Sequence, residues 1–254
     1  MIELKTKAEL DILRECGRIV SEILAEVKKG LKPGVTTKDL EEIADRNFDL
    51  FHVVPAFKGY RGFPGSICVS VNEELVHGIP RKTKSIKDGD IVKVDIGIKH
   101  KGFFGDVAET VPVGNISNEI KDLLKASYGS FEAVLKYARP EYMLGDISAG
   151  VQDYIESRGY SVIRDFVGHG IGRMLHEKPE VPNFGKHNTG PRLQPGLVIA
   201  AEPMIALGSW EIQILKDNWT VVMIDKKYCA HYEHMIAITE NGPELLTQLN
   251  PILD

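Results

Sequence analysis

The stretch Ile91–Val111, IVKVDIGIKHKGFFGDVAETV, constrains this chain more than any other. Ile91, Val92, Val94, Ile96 and Ile98, then Phe103, Phe104, Val107 and Val111, read as the two arms of a β-hairpin around the polar tip Lys99-His100-Lys101-Gly102. Two acids, Asp95 and Asp106, stand inside the apolar arms. A turn centred between His100 and Lys101 makes them direct cross-strand neighbours, with Cβ atoms roughly 5 Å apart. A slipped register separates them, and the hairpin sequence admits both. Like charges opposed in a sheet are destabilising, and aspartate is a poor strand former. No Lys or Arg has an obvious claim on the space between them, so a metal ion is the better counter-charge.

The 254 residues, 43% of them hydrophobic, suffice for one large core or two modest domains. No apolar run is long enough to span a bilayer. The opening segment MIELKTKAELDILRE carries acids throughout and lacks the apolar stretch of a signal peptide. Cys16, Cys68 and Cys229 lie far apart with no C-x-x-C pair, which reads as free thiols in a reducing compartment. A net charge of −5 gives no electrostatic case for nucleic-acid binding. A soluble cytoplasmic protein is expected, with neither membrane nor specific nucleic acid as partner.

Thr6-Lys7-Ala8-Glu9 is a capping-box pattern, and Leu10, Leu13, Val20, Ile23, Leu24 and Val27 behind it keep helical spacing up to Gly30. Thr36 caps a second helix carrying Leu40, Ile43, Ala44 and Phe48. A glycine-rich aromatic loop, PAFKGYRGFPGS, leads to a short strand at Ile67–Val71, and NEELVHGIP carries His77. After the hairpin a third helix is expected from about Ser117 to Ala138, and a fourth from near Asp146 to Gly159. Continuous strands are expected at Leu197–Leu207, holding Glu202, at Trp219–Ile224, and at Ala230–Thr239, holding Glu233. Between them VGHGIGRMLH sets His169 among glycines. At an offset of 107 residues Lys32-Pro33 falls on Arg139-Pro140, Gly89 on Gly196 and Asp95 on Glu202. Duplication accounts for these landmarks; so does chance or shared propensity. Helices followed by short strands, twice over, point to an α+β protein with one antiparallel sheet shared between the halves.

A lone strand acid is often a rim residue, and a lone histidine is more often structural than a ligand. His100, His187 and His231 are expected to be solvated. The combination weighs more. Asp95, Asp106, Glu202 and Glu233 are four acids in apolar strands, and clustered without cations they could not all ionise. Four carboxylates and the imidazole of His169 match a site for two divalent cations roughly 3.5 Å apart. Such ligands suit Mn, Fe, Co or Zn.

The motifs SICVSVNEELVHGIP, VKVDIG, GDVAET, VGHGIG, LHEKPEVPN, AEPM and HYEH resemble those of type I methionine aminopeptidases, over nearly the whole chain. The resemblance implies the α+β pita-bread (creatinase/aminopeptidase) fold, internally duplicated, with an antiparallel sheet covered by helices. It implies a single catalytic domain over 1–254, with pseudo-twofold halves at about 1–113 and 114–254. It also implies that Asp95, Asp106, His169, Glu202 and Glu233 ligate two divalent ions (Co, Mn, Fe, Zn or Ni). His77 and His176 would flank the scissile bond, and Glu202 would shuttle a proton. Phe57, Tyr60, Phe63, Cys68, Leu175 and Trp219 would form the slot for methionine, where sulfur–aromatic contacts favour a thioether. Ordinary core packing is the competing reading for the aromatics, most of all for Trp219. Leu175 stands where many members have an aromatic, and Phe57 where some have Cys. The implied substrates are nascent polypeptide N-termini, with the ribosome as a candidate meeting place, and the implied state is a monomer. Two rivals remain: an X-Pro peptidase of the prolidase or aminopeptidase P kind, and a pita-bread module that binds peptides without cleaving them.

Overall fold

The computed structural model describes residues 2–248. Helices α1 (Lys7–Gly30) and α2 (Thr37–Leu50) open the chain. Each begins at a closed capping box. The Thr6 amide donates to Glu9 at 2.8 Å and the Glu9 amide to Thr6 Oγ1 at 3.3 Å; Thr36 and Asp39 repeat the exchange at 2.7 and 3.2 Å. Strands β1 (Val54–Pro55), β2 (Cys68–Val71), β3 (Ile91–His100) and β4 (Phe103–Pro112) form the first sheet, with β3 central.

The β3–β4 turn is Lys101-Gly102, with φ of 49° and 84°, the two positive values that a two-residue hairpin turn demands. His100 therefore pairs with Phe103, Asp95 with Ala108, and Asp106 with Gly97. Asp95 and Asp106 are not directly opposed, as a turn between His100 and Lys101 would make them. They are diagonal neighbours. Because side-chain direction alternates with a period of two, the shift leaves both on one face of the hairpin.

Helices α3 (Asn118–Tyr137) and α4 (Leu144–Glu156) follow, then β5 (Ser161–Val162), β6 (Gly168–Gly170), β7 (Glu177–Val181), β8 (Val198–Ala201) and β9 (Met204–Ala206). A hairpin of β10 (Ile212–Ile214) and β11 (Val221–Met223) precedes β12 (Cys229–His231), β13 (His234–Thr239) and β14 (Gly242–Leu245). Helix α4 starts two residues before Asp146, because that acid is the inner partner of the cap: the Met143 amide donates to it at 2.8 Å.

The expected strands at Leu197–Leu207 and Ala230–Thr239 each break in two. In the first, Pro203 has no N–H to continue the ladder. In the second, Tyr232 and Glu233 lie opposite that interruption, and the Tyr232 amide donates to the Pro203 carbonyl at 3.1 Å. On one side of the break β8 pairs with β13; on the other β9 pairs with β12. Glu202 and Glu233 thus sit at the crossing between two sheets, not within strands. Trp219 likewise precedes β11 instead of lying in it.

The offset of 107 recurs in three dimensions. β1 pairs with β3 at Val54–Lys99, and β5 with β9 at Ser161–Ala206, which is the same register 107 residues on. Gly89 and Gly196 share φ near 90° (89° and 92°). Helices α1 and α2 share a core with β2–β4 (Leu13, Ile23, Val94, Ile96), and α3 and α4 share one with β8, β9 and β13 (Leu124, Phe131, Ile199, Ile205, Ile236). The sheets of the two halves meet where Ala108 bridges to Glu233.

Candidate metal centre and active site

A cavity of about 310 Å³ opens where the two halves meet. Every site residue singled out from the sequence lines it: Asp95, Asp106, His169, Glu202 and Glu233, together with His77, His176, Phe57, Tyr60, Phe63, Cys68, Leu175 and Trp219. Arg61, Asp165, Phe166 and Val167 also line it; Arg61 and Val167 fall in stretches that the sequence singles out, and Asp165 and Phe166 do not.

Each side chain owes its place to a local device. Asp95 and Asp106 come from the shared face of the hairpin, Asp95 beside Cys68 of β2. Glu202 is held at its strand break by buried Asn183, whose amide donates to the Glu202 carbonyl at 3.0 Å. His169 lies in β6 between Gly168 and Gly170. A Cβ at either glycine would stand 2.4–2.5 Å from a backbone oxygen of a neighbouring strand, so only glycine lets β6 come this close. His77 is fixed at φ 58°, a left-handed conformation uncommon outside glycine, and its ring packs edge-on to Phe166 and Trp219. His176 Nδ1 hydrogen-bonds the Tyr60 hydroxyl at 2.9 Å, and its ring lies 4.3 Å from that of His169. Trp219 meets Phe63 edge to face at 5.1 Å.

His169 Nε2 stands 3.9 Å from an oxygen of each of Asp106, Glu202 and Glu233. Asp106, His169 and Glu233 offer donor atoms within 4.8 Å of one another, and so do Glu202, His231 and Glu233. Burial, then the charges of Asp95 and Glu202, lifts the Asp106 carboxyl well above the usual carboxylate range. Burial does the same to Glu202 and Glu233 and raises Asp95 to about 7. It also pushes His77 down to about 4 and His169 to about 3, and with the charge of Arg61 it lowers His176. The site thus holds four crowded acids and imidazoles that stay neutral. The nearby ammonium of Lys93 does not relieve the acids, since it is committed to the carbonyls of Asn72 and Cys229 at 2.6 and 3.0 Å. Asp95 Oδ1, Asp106 Oδ1 and Glu233 Oε1 are buried with no hydrogen-bond partner among the described residues. Buried oxygens left unsatisfied are costly, and a cation would satisfy them; Asp106 and Glu233 belong to the close donor groups and Asp95 to neither.

One expectation fails here. His231 is not solvated: it is 1% exposed, with Nε2 3.5 Å from Glu202 and 3.7 Å from Glu233. A cue existed, because His231 and Glu233 lie two positions apart in one apolar run and so tend to share a face. His187 does lie at the surface, bonded to Asp146 and Asp153, and His100 is partly covered beside Glu15.

The profile of metallopeptidase family M24 matches residues 11–240. The chain belongs to family M24. Within M24 it is 53% identical over 249 residues to methionine aminopeptidase 1 of Bacillus subtilis (strain 168), covering 98% of this chain and 100% of that protein. The crystal structure of methionine aminopeptidase from Thermotoga maritima superposes with a TM-score of 0.96 at 45% identity, over 98% of this chain and 100% of that one. Prolidase from Pyrococcus furiosus shares the fold at a TM-score of 0.80 and 21% identity; the match covers 98% of this chain and 66% of that one. The chain has the internally duplicated α+β pita-bread fold. As an M24 metallopeptidase it is a hydrolase that binds divalent metal. No helix among the described residues is long and apolar enough to cross a membrane.

Proposed function

We propose that this M24 chain is a methionyl aminopeptidase. It would remove the N-terminal methionine from nascent proteins and peptides, in the cytoplasm and as a monomer, when the second residue is small. One observation carries the reading: the carboxylate–imidazole cluster shares one cavity with the apolar side chains Phe57, Tyr60, Phe63, Cys68 and Trp219. The identities to proteins named methionine aminopeptidase favour methionine over the X-Pro substrates of the prolidase-like rival.

In this reading Asp95, Asp106, His169, Glu202 and Glu233 hold two divalent ions of the Co, Mn, Fe, Zn or Ni kind. Within that set Asp106, His169 and Glu233 already offer donor atoms within 4.8 Å of one another. Divalent ions there supply positive charge for the transition state and acidify water enough to give a nucleophile at neutral pH. The rest falls to the side chains. A Tyr60 hydroxyl donating to His176 Nδ1 leaves the proton on Nε2, where it donates to the oxyanion that develops on the first peptide carbonyl. His77, held in its strained backbone by the surrounding fold, contacts the scissile amide. Glu202, its carboxyl raised by burial well above the usual carboxylate range, carries a proton to the leaving amine. The apolar slot excludes water and takes an unbranched thioether.

Release of methionine from Met-Ala-Ser by the purified chain, lost with chelator and restored by added Co²⁺ or Mn²⁺, is the expected result. Turnover that ignores the chelator, or none under any metal, overturns the proposal.

A further inference from the structure

Outside that ligand set the structure holds one more imidazole aimed at the same carboxylates. His231 is the last residue of β12, and its backbone is clamped on both sides by Thr110. Its amide donates to Thr110 Oγ1 at 2.9 Å, and its carbonyl accepts from the same hydroxyl at 2.8 Å. Two residues before Thr110 in β4, Ala108 holds the backbone of Glu233, and two before that comes Asp106 itself. Consecutive same-face positions of β4 therefore set Asp106, Glu233 and His231 in one frame.

The His231 ring is buried, and neither of its nitrogens makes a hydrogen bond among the described residues. A buried polar ring left without a hydrogen bond costs stability unless something completes it. The nearest oxygens, at 3.5 Å on Glu202 and 3.7 Å on Glu233, lie beyond hydrogen-bond reach. They suit another geometry. Two donors each about 2.1 Å from one ion stand roughly 3.0–3.4 Å apart in octahedral or tetrahedral arrangements, before the site contracts on binding. His169 stands slightly farther, 3.9 Å, from its own carboxylates.

We propose that His231 is a sixth donor of the metal centre, its Nε2 ligating an ion shared with Glu202 and Glu233. This rests on the metal-centre reading above and extends it. The centre then carries an imidazole in each of its two donor groups, and the second imidazole biases it toward ions that favour nitrogen, such as Ni²⁺, Zn²⁺ or Fe²⁺, against Mn²⁺.

The test counts ligating imidazoles directly. Proton NMR of the full chain loaded with Co²⁺, with ¹⁵N-labelled histidine, resolves the strongly shifted ring N–H signals of histidines bound to the ion. Two such histidines are expected in the parent chain, one of which disappears in His231→Gln and the other in His169→Gln. Calorimetry should show His231→Gln binding Ni²⁺ at least about tenfold more weakly, with a smaller effect on Mn²⁺. Bound Co²⁺ with only one ligating histidine in the parent chain overturns the role of His231 and leaves the five-residue centre intact. No stoichiometric Co²⁺ binding by the parent chain overturns the metal centre itself. The parent spectrum decides the count even where His231→Gln does not fold.

Discussion

Ala108 and Glu233 exchange both of their backbone hydrogen bonds, at 2.8 and 3.1 Å, across 125 residues of chain. This bridge joins the sheet of the first half to that of the second. It also fixes the Glu233 carboxylate beside that of Asp106, two residues from Ala108 in β4. The same contact that closes the sheet thus forces two acids together in a buried place. A fold optimised for stability alone would avoid that, and a cation makes it tolerable.

The first prediction follows from that opposition. Glu233→Gln removes one ionisable carboxyl from the cluster and the group common to both sets of donors. Activity and bound metal should both be lost. The chelator-treated variant should nonetheless melt above the chelator-treated parent, by on the order of 1 kcal/mol or about 2–4 °C in a chain of this size. Scanning calorimetry and metal analysis check it; a variant that retains two ions and full activity refutes the bridging assignment.

The second concerns pH. Asp95 is raised to about 7, and Asp106, Glu202 and Glu233 well above the usual carboxylate range, with burial the leading cause in each. In the metal-free chain these groups keep protons that the unfolded chain has already lost above about pH 4. Their contribution is therefore full below that pH and is lost as pH rises through the folded values. Metal displaces the same protons, so its benefit grows in the opposite sense. The Tm difference between metal-loaded and chelator-treated protein should widen from about pH 5 to about pH 8. A difference that narrows across that range would mean the acids are not where the ions bind.

Much of this arrangement is legible in the sequence because the devices are local. Thr6, Thr36 and Ser117 mark helix starts to the residue, and the hairpin arms are written in alternation. What escapes is non-local. The break at Tyr232-Glu233 has no cue of its own; it answers Pro203 on the partner strand, where the missing N–H was visible but a continuous apolar run outweighed it. The Tyr60–His176 hydrogen bond spans 116 residues, and no spacing rule reaches it. His231 is readable from its parity with Glu233, against the rule that a lone histidine is more often solvated than a ligand.

A third prediction concerns the segment before β7. Lys5 and Glu177 form an ion pair at 2.5 Å with side chains 3% and 6% exposed, and Glu177 also accepts the Met174 amide at 3.1 Å. That turn carries Leu175 and His176 into the cavity. Lys5→Met leaves a buried carboxylate unpaired and should cost about 3–5 kcal/mol. Lys5→Met/Glu177→Met should recover most of the stability while kcat stays low, because the turn has lost its tie. Denaturant unfolding and steady-state kinetics on both variants check it; full activity in the double variant would show that the pair does not position His176.

The fourth separates binding from transition-state stabilisation. His176→Ala should lower kcat by roughly two to three orders of magnitude with metal content unchanged, the usual cost of losing one oxyanion donor. Tyr60→Phe, which removes the partner of Nδ1, should lower kcat less and leave KM nearly alone. Loss of metal from His176→Ala would make it a ligand instead.

The last prediction is the preference of the slot. Tyr60, Phe63, Cys68 and Trp219 line the same cavity as the carboxylate cluster, which gives an apolar side chain a place beside the reacting groups. An unbranched thioether can bend into such a space and its sulfur gains from the aromatic edges, whereas a β-branched chain is stiff next to the backbone. Among Met-Ala-Ser, Met-Lys-Ser, Leu-Ala-Ser and Ala-Pro-Ser assayed side by side, only the first should turn over well. Widening the wall by Phe63→Ala should bring Leu-Ala-Ser closer to Met-Ala-Ser, since the ring that it removes packs edge-on against Trp219 at 5.1 Å. Faster cleavage of Ala-Pro-Ser would assign the chain to X-Pro substrates, and equal cleavage of Met-Lys-Ser would remove the requirement for a small second residue.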